Sequence, residues 1–226
     1  MPLRRLQFAI ALLLICLCAP IPVSWAQQPA AQPAQQRKTS TPYTGDLSIF
    51  DTPGRDERLS INRVMDILAI APGKTVADIG AGSGWFTVRA AQRVTKSGIV
   101  YAVDINPKAV QHVAHRAQQE HLGNVKTVLG KPDNPELPSN SIDSVLLLKT
   151  YHEVAYPIPL LRNLRAALRG NARVGIIDRS GNGEDHGVQK EAVVREAEQA
   201  GYRLVEEHDD LVKADNMDYF LVFATR

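Results

Sequence analysis

The sequence predicts an α/β doubly wound sheet of seven strands with helices between them, and three observations carry this expectation. From Thr41 onward, short runs rich in β-branched residues alternate with helical stretches. The run 142–148 is nearly all apolar, as in a strand buried on both faces. The first run opens into a loop that holds three glycines, Gly80, Gly82 and Gly84.

Each element has its own justification. Leu59, Met65, Ile67, Leu68 and Ile70 give a first helix an apolar face, and Ala71, Pro72 and Gly73 stop it. A strand over 75–79 follows, then the glycine loop, then a helix over 85–94. Residues 99–104 read as the second strand, and Pro107 opens a helix that runs to His121. The third strand is 125–129 and the fourth 142–148. A helix over 159–168 leads to a strand over 173–178, and a helix over 186–200 leads to one over 202–207. The run 219–224 closes the chain as the seventh strand, and no internal repeat is present.

The N-terminal 26 residues differ in composition from the rest. They carry Arg4 and Arg5 and no acid, which is the whole net charge of +2, and they hold both cysteines, Cys16 and Cys18. An apolar stretch of 12 residues from Phe8 to Ala19 is shorter than the roughly 20 a spanning helix needs, and Pro20 and Pro22 interrupt it. With Ser24 and Ala26 as small residues at a peptidase site, 1–26 reads as a signal peptide cleaved after Ala26, so the domain is expected to be exported, periplasmic or secreted. The alternative is an uncleaved leader, which would be the protein's membrane contact. Residues 27–40, Gln, Pro and Ala with almost no apolar bulk, read as a flexible tether to a domain over 41–226. The remaining 200 residues balance 24 basic against 24 acidic, which argues against nucleic acid as a partner. Without cysteine, that part of the chain has no thiol catalysis, Cys-ligated zinc or disulfide staples.

The chemistry starts at Asp78, Ile79, Gly80, Ala81, Gly82, Ser83, Gly84 and Trp85. A strand end, a glycine turn and a helix start bring backbone N–H groups close to a ligand. A dinucleotide loop wants its third glycine at position 85, which is Trp85, so a pyrophosphate-binding loop is disfavoured. G-x-G-x-G with an acid two residues before it is instead the pattern that binds S-adenosylmethionine (SAM), a cofactor without phosphate. Asp104 falls 24 residues after Gly80, at the end of the adjacent strand, where a carboxylate accepts from two vicinal ribose hydroxyls. Ile105 beside it can cover an adenine face, and Asn106 is better placed than Asp104 to cap the next helix. Asp133, in the proline-rich loop 130–138, could accept from the adenine amino group or serve only as a turn residue.

Taken in order, the segments PGKTVADIGAGSGWFT, GIVYAVDIN, LPSNSIDSVLLLKTYHEV, ARVGIIDRS and EAEQAGY resemble class I SAM-dependent methyltransferases, nearest the group of ubiquinone and menaquinone C-methyltransferases. The resemblance covers about 54–223. It implies a Rossmann-like seven-stranded sheet with the last strand antiparallel, and SAM across the carboxyl ends of the first strands. It places Asp78, Gly80, Gly82 and Gly84, with Ala81 between them, around the methionyl part, Asp104 on the ribose and Asp133 near adenine. Two positions depart from the family pattern: Leu168, Arg169, Gly170 and Asn171 replace a Pro-Gly-Gly turn, and Arg58 and Leu59 stand where relatives carry a lid Trp. Asn171 can supply the positive φ such a turn uses.

The implied reaction is methyl transfer to a small-molecule acceptor, an in-line displacement in which the enzyme aligns the acceptor and, where needed, takes its proton. The acceptor is expected beyond the fourth strand, at Lys149, Thr150, Tyr151, His152 and Glu153. His152 is the candidate general base, with Tyr151 and Glu153 as orienting groups, although a His at a strand end is more often a hydrogen-bonded structural residue. The competing class is an exported, non-catalytic binding or structural module on the same fold, and isoaspartyl methylation is a further option among enzymes. No metal site is expected: a zincin motif starting at His152 fails at Tyr156, and His112 and His115 read as a solvated face. Arg162, Arg165 and Arg169 form a basic stripe of the same solvated kind.

Overall fold

The structure, a computed structural model, describes residues 36–43 and 45–226. The leader 1–26 and residues 27–35 of the expected tether lie outside the described residues. Seven strands form one sheet: β1 (Thr75–Ile79), β2 (Ile99–Asp104), β3 (Val125–Leu129), β4 (Ile142–Leu148), β5 (Leu168–Asp178), β6 (Tyr202–Glu207) and β7 (Tyr219–Thr225), in the order 3-2-1-4-5-7-6. β7 runs antiparallel to both β5 and β6, and the other neighbouring pairs are parallel. The strand order reverses between β1 and β4, so the carboxyl ends of β1, β2 and β4 meet at the switch point where open sheets bind ligands.

The helices are α1 (Arg55–Arg58), α2 (Ile61–Ile67), α3 (Trp85–Val94), α4 (Pro107–Gln119), α5 (Pro157–Ala167) and α6 (Lys190–Gln199). Strand alternation divides the core. Ala77, Ile79, Val145 and Leu147 pack with Leu160, Leu161 and Leu164 of α5 and with Val193 and Ala197 of α6. Val76, Val100 and Leu146 face the other way, onto α2 and α3 through Ile61, Val64, Phe86 and Ala90. Every residue of β1 is buried, as a central strand covered on both faces must be. Among the described residues, no helix is long and apolar enough to cross a membrane.

Three local readings change. The first helix breaks at Ser60, where φ is +47, and ends at Ile67, so Leu68 and Ile70 reach the core from the turn that follows it. The expected turn at 168–171 is taken into β5, and neither Gly170 nor Asn171 has a positive φ. The extra length is accommodated by a register shift between Ile142 and Ser144 of β4. Residues 36–40 of the expected tether lie against the domain: Ser40 is buried, and Arg37 donates to the carbonyls of Tyr151 and Val154 and to Glu196.

Candidate functional site

The loop after β1 is shaped by its neighbours. Gly80 and Ala81 donate their N–H groups to the Val103 carbonyl at 2.8 and 3.0 Å, which folds the loop over the end of β2. Gly80, Gly82 and Gly84 have φ of +77, +52 and +77, the left-handed region that glycine enters without steric penalty. They do different work. A Cβ on Gly80 would lie 2.2 Å from the Thr150 methyl, and one on Gly84 3.2 Å from Val113. On Gly82 it would meet nothing nearer than 3.9 Å, so that face is open. The loop borders a cavity of about 910 Å³, within the range of small-molecule and cofactor sites.

Two carboxylates stand at the cavity. Asp104 accepts from the backbone N–H of Gly82 and of Asn106, both at 2.9 Å, while Asn106 accepts from Lys108 as the cap of α4. Asp104 is therefore held in place by the loop it serves, with lone pairs left on both oxygens. Asp78 is almost fully buried and accepts from the Thr87 hydroxyl at 2.6 Å. Its carboxyl is pushed up to about 7, chiefly by burial and also by the Asp104 charge, against the lowering effects of Thr87 and Arg55. Ile105 lines the same cavity with 47% of its surface exposed, an apolar face available to a flat ring.

The far end of the cavity is polar. The short 3-10 turn Tyr151–Glu153 follows β4, and His152 Nδ1 lies 2.8 Å from Asp178 Oδ1 at the end of β5. A carboxylate only accepts, so Nδ1 carries the proton and Nε2 keeps its lone pair. Asp178 is itself fixed by the backbone N–H groups of His152 and Arg179. Glu153 and His186 line the same end, and burial pushes the Glu153 carboxyl up. Over the mouth lie Leu47, Ile49 and Phe50, with Tyr43 edge-on to Phe50 at 5.5 Å. Asp51 ties this segment down by accepting from the Ser83 hydroxyl and from Arg116.

The site can be compared with known proteins on this basis. Residues 76–171 match the family described as Methyltransferase domain. Over that segment the chain is similar to SAM-dependent methyltransferase domains. Among curated relatives, the nocamycin O-methyltransferase of Saccharothrix syringae is 34% identical over 43% of this chain and 35% of its own length. The 2-phytyl-1,4-naphtoquinone methyltransferase of Trichormus variabilis is 32% identical over 47% of each chain. The chain thus spans less than half the length of these relatives. Among solved structures, a SAM-dependent methyltransferase from Aquifex aeolicus superposes with a TM-score of 0.71 over 80% of this chain and 98% of its own, at 24% identity. The [4+2]-cyclase SpnF shares the fold with a TM-score of 0.64 and 13% identity over 84% of this chain and 88% of its own.

The methyltransferase fold implies SAM as cofactor, and the residues present fit it. The open face of Gly82 leaves room for close approach, Asp104 keeps lone pairs for hydroxyls, and Asp78 offers a carboxyl to a cation. Two expected residues are not at the site. Tyr151 is fully buried because its ring packs into the core and its hydroxyl donates to Glu196 of α6 at 2.8 Å, whereas His152 and Glu153 of the same turn line the cavity. Asp133 is exposed and absent from the lining; its loop contributes Gly130, Lys131, Pro132 and Pro135 instead. The Asp133 carbonyl accepts from Asn163 at 2.7 Å.

Sequence reading did not single out Asp178, His186 or the apolar side chains Leu47, Ile49 and Phe50. Asp178 carried a signal as the last residue of a predicted strand next to the His152 strand. His186 had none, since it sits in a loop held by Ser40 and by Arg179, which donates to the His186 carbonyl at 2.8 Å. Trp85, whose presence disfavoured the dinucleotide loop, is buried with the guanidiniums of Arg55 and Arg89 4.5 and 4.1 Å from its ring centre.

Proposed function

We propose that the protein transfers a methyl group from SAM to a small-molecule acceptor that has an apolar body and one polar reacting atom. The observation that carries this is the single cavity bordered at one end by the Gly80–Gly84 loop, Asp104 and Ile105, and at the other by His152. When bound, SAM supplies an electrophilic methyl carbon on a sulfonium. Asp104 accepts from the ribose hydroxyls, Ile105 covers the adenine, and Asp78, ionised by a nearby cation, balances the charge of the methionyl end. His152, its ring set by Asp178, accepts a hydrogen bond from the acceptor and points the reacting lone pair at the methyl carbon. Leu47, Ile49 and Phe50 cover the apolar body and keep water out. The names of the curated relatives, a nocamycin O-methyltransferase and a 2-phytyl-1,4-naphtoquinone methyltransferase, support acceptors of this kind. The leader supports an exported protein. Calorimetry on the full chain tests the reading: micromolar binding of SAM and S-adenosylhomocysteine is expected, with Asp104→Ala weakening both at least tenfold. No binding by a folded protein would overturn it.

A further inference from the structure

Three side chains converge at the acceptor end of the cavity. His152, Glu153 and His186 come from two different segments and point the same way, each offering a ligand atom within 4.8 Å of the others. His152 Nε2 and His186 Nδ1 lie 3.8 and 3.9 Å from Glu153 Oε1, too far for hydrogen bonds. Around a tetrahedral ion with bonds of about 2.0–2.1 Å, neighbouring ligand atoms sit on the order of 3.3–3.5 Å apart. The observed spacing is within a small side-chain rotation of that, and His186, more than half exposed on its loop, is free to make it.

The surroundings of the trio add a second observation. His152 Nδ1 donates to a fully buried carboxylate, Asp178, which in turn accepts two backbone N–H groups. A carboxylate behind a histidine is the arrangement that fixes a metal-ligating imidazole and raises its basicity. Two imidazoles and one carboxylate are three protein ligands, the number that leaves one position open in catalytic zinc sites. All three residues line the cavity, so the open position faces it.

We propose that His152 Nε2, a Glu153 carboxylate oxygen and His186 Nδ1 bind one divalent transition-metal ion of the zinc class, with an open position toward the acceptor. The sequence expectation of no metal considered only ligands close in sequence, and His186 lies 34 positions from His152. The role of the ion rests on the methyl-transfer reading: it holds an acceptor oxygen as its fourth ligand and lowers the pKa of that group, in place of the hydrogen bond to His152. Metal binding itself does not depend on that reading.

The test uses the full chain with Cys16→Ser and Cys18→Ser, so that leader thiolates do not compete. Equilibrium dialysis against Zn2+, followed by elemental analysis, is expected to give one ion per chain. Co2+ is expected to give visible d–d absorption from a low-coordinate site. Glu153→Gln and His186→Ala should each weaken Zn2+ binding at least 30-fold, and Asp178→Asn 10–100-fold. His112→Ala with His115→Ala should leave it unchanged. Each variant is also titrated with SAM, and His186→Ala, an exposed loop change, should bind it as before. Absence of stoichiometric Zn2+, or binding that survives Glu153→Gln and His186→Ala, would overturn the site. Loss of SAM binding by the unsubstituted protein would overturn the methyl-transfer reading and leave the metal result standing.

Discussion

Asp78→Asn separates what this carboxyl does to stability from what it does for a cofactor. In the folded protein the group sits at about 7, against 3.8 for a free carboxyl, because burial disfavours its charge. A folded-state value above the unfolded one stabilises the fold fully below pH 3.8, and that contribution is lost as pH rises through about 7. At full effect the displacement corresponds to about 4 kcal/mol, of which about 2–3 kcal/mol falls between pH 5 and pH 8. Asn keeps the shape and the acceptor for the Thr87 hydroxyl but has no charge to desolvate. Urea unfolding of both proteins should therefore give an Asn variant whose stability advantage over the native protein grows by about 2–3 kcal/mol from pH 5 to pH 8. Taking the difference between the two proteins cancels histidines that titrate in the same window. A difference that stays flat from pH 5 to pH 8 would refute the burial argument. The same variant should bind SAM more weakly, and SAM binding by the native protein near pH 6.5 should release a proton, seen as a heat that changes with the buffer.

Three further outcomes follow from the geometry. Gly80→Ala places a methyl group against Thr150 at positive φ and should destabilise by about 2–4 kcal/mol, whereas Gly82→Ala, with open space, should cost about 1 kcal/mol yet weaken SAM at least tenfold; denaturant midpoints and calorimetry separate the two. Tyr151→Phe removes a buried hydrogen bond to Glu196 and should cost about 1 kcal/mol while leaving SAM affinity unchanged; a large loss of SAM affinity would return Tyr151 to the site. N-terminal sequencing of the protein expressed in a bacterium with a periplasm should begin at Gln27, and an intact Met1 would remove the cleaved signal peptide in favour of the uncleaved leader.

Much of the fold was legible because its signals are local. The apolar run of β4, the Asn106 and Pro107 start of α4, and the spacing from Gly80 to Asp104 each depend on a few neighbouring residues, and each is found where the sequence placed it. The register shift that absorbs residues 168–171 was hidden, because strand pairing joins residues far apart in sequence. At the site, the loop and Asp104 were legible for the same local reason. Tyr151 failed because its hydroxyl finds a partner 45 positions away, Glu196 on α6, and Asp133 failed because a loop sequence carries no local signal for which of its residues face the cavity. His186 and Asp178 reach His152 only through the order of β4 and β5 and the loop that follows.

The most direct test of the central claim is a structure of the protein with S-adenosylhomocysteine bound. The adenine should lie on Ile105 with the ribose hydroxyls on Asp104, the methionyl end should pass the open face of Gly82 near Asp78, and the sulfur should face His152. A ligand bound elsewhere, or one with its sulfur turned away from His152, would contradict the account.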